Sequence, residues 1–450
     1  MGRFGTAGIR GSVKTNVTPE LAVSVGRALG NEVGNIVVGR DGRTTGEALL
    51  QSAVAGALSS GATVDRIGIV PTSALAFESK GCAGIMITAS HNPPNDNGLK
   101  LFIDGQELTA DQETTIEAAI EQPEPAVDWN EWGNTIGSNS VDRYLDTVEQ
   151  YVTDFTDSPM PGCSIAIDCG NGTGGRVTPK LLTRLGCDVH VLNGRVDGHF
   201  PARASKPQEK TLGDLQNYVR ASEAICGFAH DGDADRIVVL DSDGQIVHED
   251  TVLAILAHEY VRQSDVSDPI VLTTINASSR IDNHVDRVGG RIVRTRLGGL
   301  HDEIHHRIRT NADGIVVFAA EPWKHMHPAL GRWIDGIVSA GLLASLIAEA
   351  GGVRPLTAPI QELPYRKTSI PCDTSVHNDL FADLSQLLPE SYPGAAIDTS
   401  IGIRMSWDEG WALVRPSGTE PKIRLYIEHP RADELESDLL QTIRAVRTEQ

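Results

Sequence analysis

Three short segments carry residues able to handle a phosphate. The first, TASHNPPNDNGLK (Thr88–Lys100), sets Ser90 and His91 side by side between two apolar runs, Ala83–Thr88 and Leu99–Ile103. Pro, Asn and Gly fix turn geometry, so an exposed, well-defined loop presenting a hydroxyl is expected, with His91 and Lys100 as proton carriers. Ser–His adjacency alone does not make a hydrolase, since a triad is assembled in space and no G-x-S-x-G occurs. The second segment, HDGDADR (His230–Arg236), places Asp231, Asp233 and Asp235 at alternating positions, so that their carboxylates can turn toward one hard cation. A calcium EF-hand loop counted from Asp231 would need Gly and Glu where Arg236 and Ser242 stand. Three carboxylates leave coordination positions free, which suits Mg²⁺ shared with a phosphate, and Arg236 would neutralise charge on that phosphate. In the third segment, RPSGTEPKIR (Arg415–Arg424), two guanidinium forks flank Ser417, Gly418 and Thr419. Backbone donors plus Arg form a phosphate nest, although a surface turn with stray arginines would read the same.

A fourth segment is a decoy. GNGTGG (Gly170–Gly175) matches the dinucleotide fingerprint, but the acidic residue that should end the next strand is missing: Asp188 begins that strand and Asn193 ends it. A tight strand-to-helix turn is the expected role, and a nicotinamide oxidoreductase is a distant rival. No P-loop motif occurs either.

The elements that must position these loops recur. NIVVGRD (Asn35–Asp41), SIAIDCGNG (Ser164–Gly172) and IVLTTINAS (Ile270–Ser278) each start a unit of apolar strand, turn, helix, glycine and second strand. Short unalternating apolar strands separated by helices read as βαβ units covered on both faces, so three similar α/β domains are expected. The last hundred or so residues read as α+β. The expected domains are 1–134 with the serine loop, 135–245 with the aspartate loop, 246–353, and 354–450 with the Arg415–Arg424 loop.

Composition bounds the rest. The chain has 450 residues, 40% hydrophobic and 22% charged, enough for several cores. Its net charge of −21 and the lack of a basic stripe argue against nucleic acid as partner. No apolar run is long enough to span a bilayer and the N-terminus lacks an apolar signal core, so a cytoplasmic location away from membranes is expected. Arg greatly outnumbers Lys on this acidic chain, which suggests a solvated surface adapted to high salt. Six cysteines without paired spacing are expected to be inert thiols.

Together, and in this order, FGTAGIRG (Phe4–Gly11), GRDGRTTG (Gly39–Gly46), TASHNP, DGDADR and RPSGTEPKIR resemble the signatures of the α-D-phosphohexomutase family, over nearly the whole chain. The resemblance implies three related α/β/α domains with mixed sheets and a smaller C-terminal α+β domain around a central cleft. It implies a phosphoserine enzyme that interconverts sugar 6-phosphate and sugar 1-phosphate through a bisphosphate, with Mg²⁺ as cofactor and a sugar bisphosphate as activator. Carried over, Ser90 would be the phosphorylated nucleophile and, with Asp231, Asp233 and Asp235, a metal ligand. Lys100, His91 or His325 would move the hydroxyl proton, and Arg10 and Arg236 would lie at the reacting phosphoryl. Arg415, Ser417, Gly418, Thr419 and Arg424 would clamp the far phosphate. The departures fall in sugar recognition. The family's Gly-Glu-x-Ser-Gly-His reads AEPWKH here: Glu321 and His325 keep their places, while Trp323 and Lys324 replace Ser and Gly. Trp323 can stack on a sugar or pack the loop, and Lys324 can supply the basic residue missing from TRLGGLH. Glucosamine phosphate is the leading expected substrate, with glucose, mannose and pentose phosphates as alternatives and a non-catalytic sugar-phosphate sensor as the rival class. A monomer or homodimer is expected.

Overall fold

In the first repeat the apolar run Asn35–Arg40 is a strand, followed by helix Gly46–Leu58 and by strand Thr63–Ile69, parallel to the first. The second repeat gives strand Ser164–Asp168, helix Thr178–Arg184 and strand Asp188–Leu192. The third gives strand Pro269–Thr274, helix Arg280–Asp286 and strand Arg291–Thr295. The computed structural model describes residues 3–5, 8–156, 160, 162–373, 376–417 and 421–448. Gly418 and Thr419 of the expected phosphate nest lie outside the described residues.

All three sheets are mixed. In the first, Asn35–Arg40 pairs in parallel with Thr63–Ile69 and Ala83–Ile87, and Asp96–Ile103 runs antiparallel between Ala83–Ile87 and Ile9–Ser12. Thr135–Ile136 pairs with Thr63–Ile69, so this sheet reaches two residues past the expected boundary. The second and third sheets each hold three parallel strands and one antiparallel edge strand, Val238–Asp241 and Lys324–Met326 respectively. The C-terminal unit is a five-stranded antiparallel sheet with helices His377–Ser391 and Ala432–Thr448. Strands buried on both faces need no polar alternation, which is why their sequences read as continuous apolar runs.

One hydrophobic cluster joins the first three domains, from Val37 and Phe102 through Ile165 and Phe228 to Val271 and Phe318. At its centre lies helix Gly336–Ala350, whose residues Gly336–Ile347 are all buried. Asp335 caps that helix, accepting from the N–H groups of Ile337 (3.0 Å) and Val338 (3.1 Å), and also from Tyr144 (2.8 Å) and Trp333 (3.0 Å). A buried carboxylate with four donors is a satisfied one, and here it ties helix Ser140–Thr156 to the third domain. The fourth domain meets the third at another buried node. Arg280 pairs with Glu428 at 3.1 Å, and Glu428 also accepts from Ser278 (2.6 Å) and Trp411 (2.8 Å). Among the described residues no helix is long and apolar enough to cross a membrane.

Candidate active site

Strand Ala83–Ile87 runs into the serine loop, and strand Asp96–Ile103 leaves it. The loop was expected to be exposed, yet Ser90 is fully buried. The aspartate loop of the second domain covers it: a Cβ on Gly232 would stand 2.6 Å from the Ser90 carbonyl oxygen, so only glycine allows this approach. Ser90 has φ +49°, a left-handed conformation that costs a non-glycine residue roughly 1 kcal/mol. Its hydroxyl donates to Asp231 Oδ2 at 2.8 Å and lies 3.3 Å from His91 Nδ1.

Two buried arginines that sequence reasoning left without a role hold the two loops. The guanidinium of Arg43 donates to the carbonyl oxygens of Ser90 (2.8 Å), Asn92 (2.8 Å), Pro93 (2.6 Å) and Asp96 (2.9 Å). Asp41 fixes Arg43 through Nε at 3.1 Å and also accepts from Thr88 at 2.7 Å. Only a planar fork can serve four converging carbonyls, so lysine is no substitute. Arg203 does the same behind the aspartate loop, donating to the His230 carbonyl (2.7 Å) while its Nε pairs with Asp168 (2.7 Å). The GNGTGG turn lies alongside: Thr173 N donates to the Gly232 carbonyl oxygen at 3.0 Å. The segment thus supports the aspartate loop, as a tight turn would. Arg43→Lys is expected to lower kcat about 10²-fold with little change in KM, because the nucleophile loses its position rather than its chemistry. Steady-state kinetics with a thermal melt checks this; a well-folded variant with near-normal kcat would remove Arg43 from the account.

The aspartate loop fits a divalent cation. Ligand oxygens of Asp231, Asp233 and Asp235 lie within 4.8 Å of one another in a fully buried cluster. Among the described residues Asp233 Oδ1 and Asp235 Oδ1 have no hydrogen-bond partner, and buried carboxylate oxygens without partners call for a counter-charge. Burial, reinforced by Asp235 and Asp233, pushes Asp231 up to about 8. Burial would also raise Asp235, but Lys100, Lys324, Arg236 and Arg10 outweigh it and hold that carboxyl below the ordinary range. Arg236 Nε lies 3.6 Å from Asp231 and 3.7 Å from Asp235. Thr72 of the first domain donates to Asp233 at 2.6 Å, a contact the motifs do not reveal.

The proton carriers separate on inspection. Lys100 is buried with Nζ 2.7 Å from Glu107 and 3.4 Å from Asp235. Burial alone would lower its pKa, but these two carboxylates raise it above the ordinary lysine value, so it is charged at rest. Burial, with Arg236 and Arg10 close by, depresses His91 to about 2, which leaves a neutral ring beside Ser90. His325 sits in the third domain's interior, 0% exposed, with Nδ1 3.0 Å from Ser339 Oγ. Among the described residues its ring makes no hydrogen bond with Ser90, whose hydroxyl meets His91 and Asp231. Arg10, on strand Ile9–Ser12, raises no such difficulty: it is close enough to weigh on His91, Lys100 and Asp235, and its Nε has no partner among the described residues.

Beside this cluster opens a cleft of roughly 1400 Å³ lined by six of the expected sugar- and phosphate-loop residues, Glu321, Trp323, Lys324, Arg415, Ser417 and Arg424. The sugar loop is stitched to the aspartate loop: Arg236 and Lys324 form a backbone bridge, and Ile237 N donates to the Trp323 carbonyl at 3.2 Å. Trp323 has φ +65° and packs against the second domain's Ala166–Leu212 cluster while still forming part of the cleft wall. Glu321 accepts from Gly298 N at 2.5 Å. In the fourth domain, Arg415 and Arg424 stand directly opposite on antiparallel strands. Like charges so placed destabilise a sheet, and an anion between them removes the cost. Lys206 and Lys367, which no motif marked, line the same cleft. On a chain of net charge −21 this collects cations where an anionic substrate would sit.

A serine hydroxyl held on buried carboxylates, beside a cationic cleft within this four-domain fold, belongs to a phosphosugar mutase, an isomerase that relocates a phosphoryl group. Family models cover the four units in order. They are phosphoglucomutase/phosphomannomutase alpha/beta/alpha domain I over residues 1–126, domain II over 142–244, domain III over 248–366 and the C-terminal domain over 379–446. The chain belongs to the phosphoglucomutase/phosphomannomutase family. It is similar to a phosphopentomutase of Thermococcus kodakarensis, 40% identical over 96% of this chain and 95% of the relative. It is similar also to a probable phosphoglucosamine mutase of Methanopyrus kandleri, 37% identical over 98% and 97%. Among solved structures, a phosphoglucomutase/phosphomannomutase family protein of Burkholderia thailandensis shares the fold with TM-score 0.87 and 24% identity, covering 99% of this chain and 97% of that one. An N-acetylphosphoglucosamine mutase of Aspergillus fumigatus, solved with GlcNAc-6P and magnesium, shares it with TM-score 0.66 and 16% identity over 100% and 96%.

Proposed function

We propose that this chain interconverts the terminal and the 1-phosphate of one sugar through a phosphoserine at position 90 and a bisphosphorylated sugar. The observation that carries this is the 2.8 Å contact between Ser90 Oγ and a buried three-carboxylate cluster beside a cationic cleft. Asp231, Asp233 and Asp235, with an oxygen of the phosphoserine, would hold Mg²⁺, which when bound offsets negative charge on the phosphoryl group in flight. Arg10 and Arg236 bind the phosphoryl oxygens. Lys100, charged at rest, gives its proton to the Ser90 oxygen as the phosphoryl leaves and regains one from the attacking sugar hydroxyl. Phosphoryl transfer needs mainly positioning and charge stabilisation, so one such carrier suffices. Arg415, Ser417 and Arg424, with Gly418 and Thr419, hold the other phosphate. Because that grip is on phosphate, either end of the bisphosphate fits it, and the intermediate turns over before returning its second phosphoryl to Ser90. A sugar bisphosphate would prime the unphosphorylated enzyme.

For the sugar, the reading best supported is a pentose phosphate. Trp323 is fixed in the cleft wall by its packing and by the backbone bond to Ile237, and its bulk replaces a hydroxyl that could hydrogen-bond a hexose. The name of the Thermococcus relative agrees. Glucosamine phosphate is the second reading, favoured by the name of the Methanopyrus relative. Assaying the 1-phosphates of ribose, glucosamine, glucose and mannose with Mg²⁺ and a matching bisphosphate decides between them. Activity on none of the four sinks the mutase reading, and a preference for glucosamine over ribose sinks the pentose one. Lys324→Ala is expected to raise KM about tenfold with a smaller effect on kcat, since a cation lining the cleft binds ground and transition states alike. An unchanged KM removes Lys324 from substrate binding.

A further inference from the structure

The six cysteines have no paired spacing in sequence, yet the fold brings two of them together. Cys163 immediately precedes strand Ser164–Asp168, and Cys187 immediately precedes strand Asp188–Leu192. These strands are parallel neighbours with Ser164 opposite Asp188, and Asp188 N donates to the Cys163 carbonyl at 2.8 Å. The register therefore sets the two cysteines side by side, with their sulfurs 3.1 Å apart. Adjacent strands lie about 4.8 Å apart, within the ~4.4–6.8 Å Cα separation that a disulfide tolerates, and bonding needs the sulfurs to close by only about 1 Å. Cys163 is partly exposed while Cys187 is buried, so one thiol meets reagents and the second waits behind it. Cys82, the other partly exposed thiol, instead points its sulfur at the Glu78 carbonyl, 3.7 Å away.

We propose that Cys163 and Cys187 form a reversible disulfide that staples the edge of the second domain. The oxidant is a small disulfide such as oxidised glutathione. The Cys163 thiolate attacks one of its sulfurs and releases one glutathione thiol. The Cys187 thiolate then attacks the Cys163 sulfur of the mixed disulfide and releases the second. Two protein thiols lose two electrons and two protons, and both pairs end on the two glutathione thiols. The bond joins positions 24 apart in sequence and restrains the unfolded chain, so it stabilises the domain without entering the cleft, whose lining includes neither cysteine.

The test equilibrates the full chain in oxidised or reduced glutathione and counts free thiols after denaturation. Oxidation is expected to leave four of the six thiols free, with a cross-linked Cys163–Cys187 peptide by mass spectrometry. It is expected to raise Tm by roughly 5 °C. Cys163→Ser and Cys187→Ala should each abolish both the cross-link and the rise in Tm while leaving mutase activity unchanged. Six free thiols in the oxidised sample, a bridge through Cys226 instead, or a bond that leaves Tm unmoved would overturn the proposal.

Discussion

Turnover of Ser90→Ala is expected to fall by about 10⁴-fold or more, because the phosphoryl group then has no covalent carrier between its two positions on the sugar. The fold should survive. Alanine bears the same left-handed strain as serine, Arg43 still binds the carbonyls of the loop, and what is lost is one hydroxyl donor to Asp231. Incubation with a sugar bisphosphate should add one phosphoryl group to the natural chain, mapped by peptide mass to Thr88–Lys100, and none to the variant. An adduct on a different residue, or a variant within tenfold of normal activity, would refute the assignment of Ser90.

Removing the divalent cation is the second large effect. Chelation is expected to depress activity about 10³-fold, and Mg²⁺ should restore it. The pH dependence of that restoration has a definite sign. Asp231, raised to about 8 by burial and by its two neighbouring carboxylates, carries a proton below that pH when no cation is present. The cation must displace this proton, so apparent Mg²⁺ affinity should fall up to about tenfold per pH unit from 8 toward 6 and level off above 8. Calorimetry in two buffers of different ionisation enthalpy would register about one proton released near pH 6.5 and almost none near pH 9. Asp231→Asn should flatten the curve. A titration that does not change with pH places the proton elsewhere.

Much of this site is legible in the sequence, and the unread parts share a physical cause. The three repeats show because doubly covered strands write unbroken apolar runs, as in Asn35–Arg40 and Pro269–Thr274. The aspartate loop shows because carboxylates that could share one cation from a single loop must be close in sequence. Arg43 and Arg203 do not show, since their partners are backbone carbonyls, which any sequence supplies. GRDGRTTG marked the first of them as a segment worth noting but not as a clamp. Thr72 and Glu107 reach the site across domain and strand boundaries, through contacts that spacing does not encode. The burial of Ser90 was missed for the same reason: its loop is polar and turn-rich, and the cover comes from Gly232, more than a hundred residues away. Likewise, the meeting of Cys163 and Cys187 depends on strand register rather than on any cysteine motif.

Ser90, Ala234 and Trp323 belong to three different domains, and each is a side-chain-bearing residue held at positive φ, in the serine, the aspartate and the sugar loop respectively. Together they withhold roughly 3 kcal/mol from a fold whose margin is typically only about 5–15 kcal/mol. Glycine at any of them would relieve this backbone strain, yet at position 90 it would remove the hydroxyl and at position 323 the ring that packs the cleft wall. Selection for durability and selection for catalysis therefore pull in opposite directions at these positions, and a lineage released from making its product would be expected to relax here first.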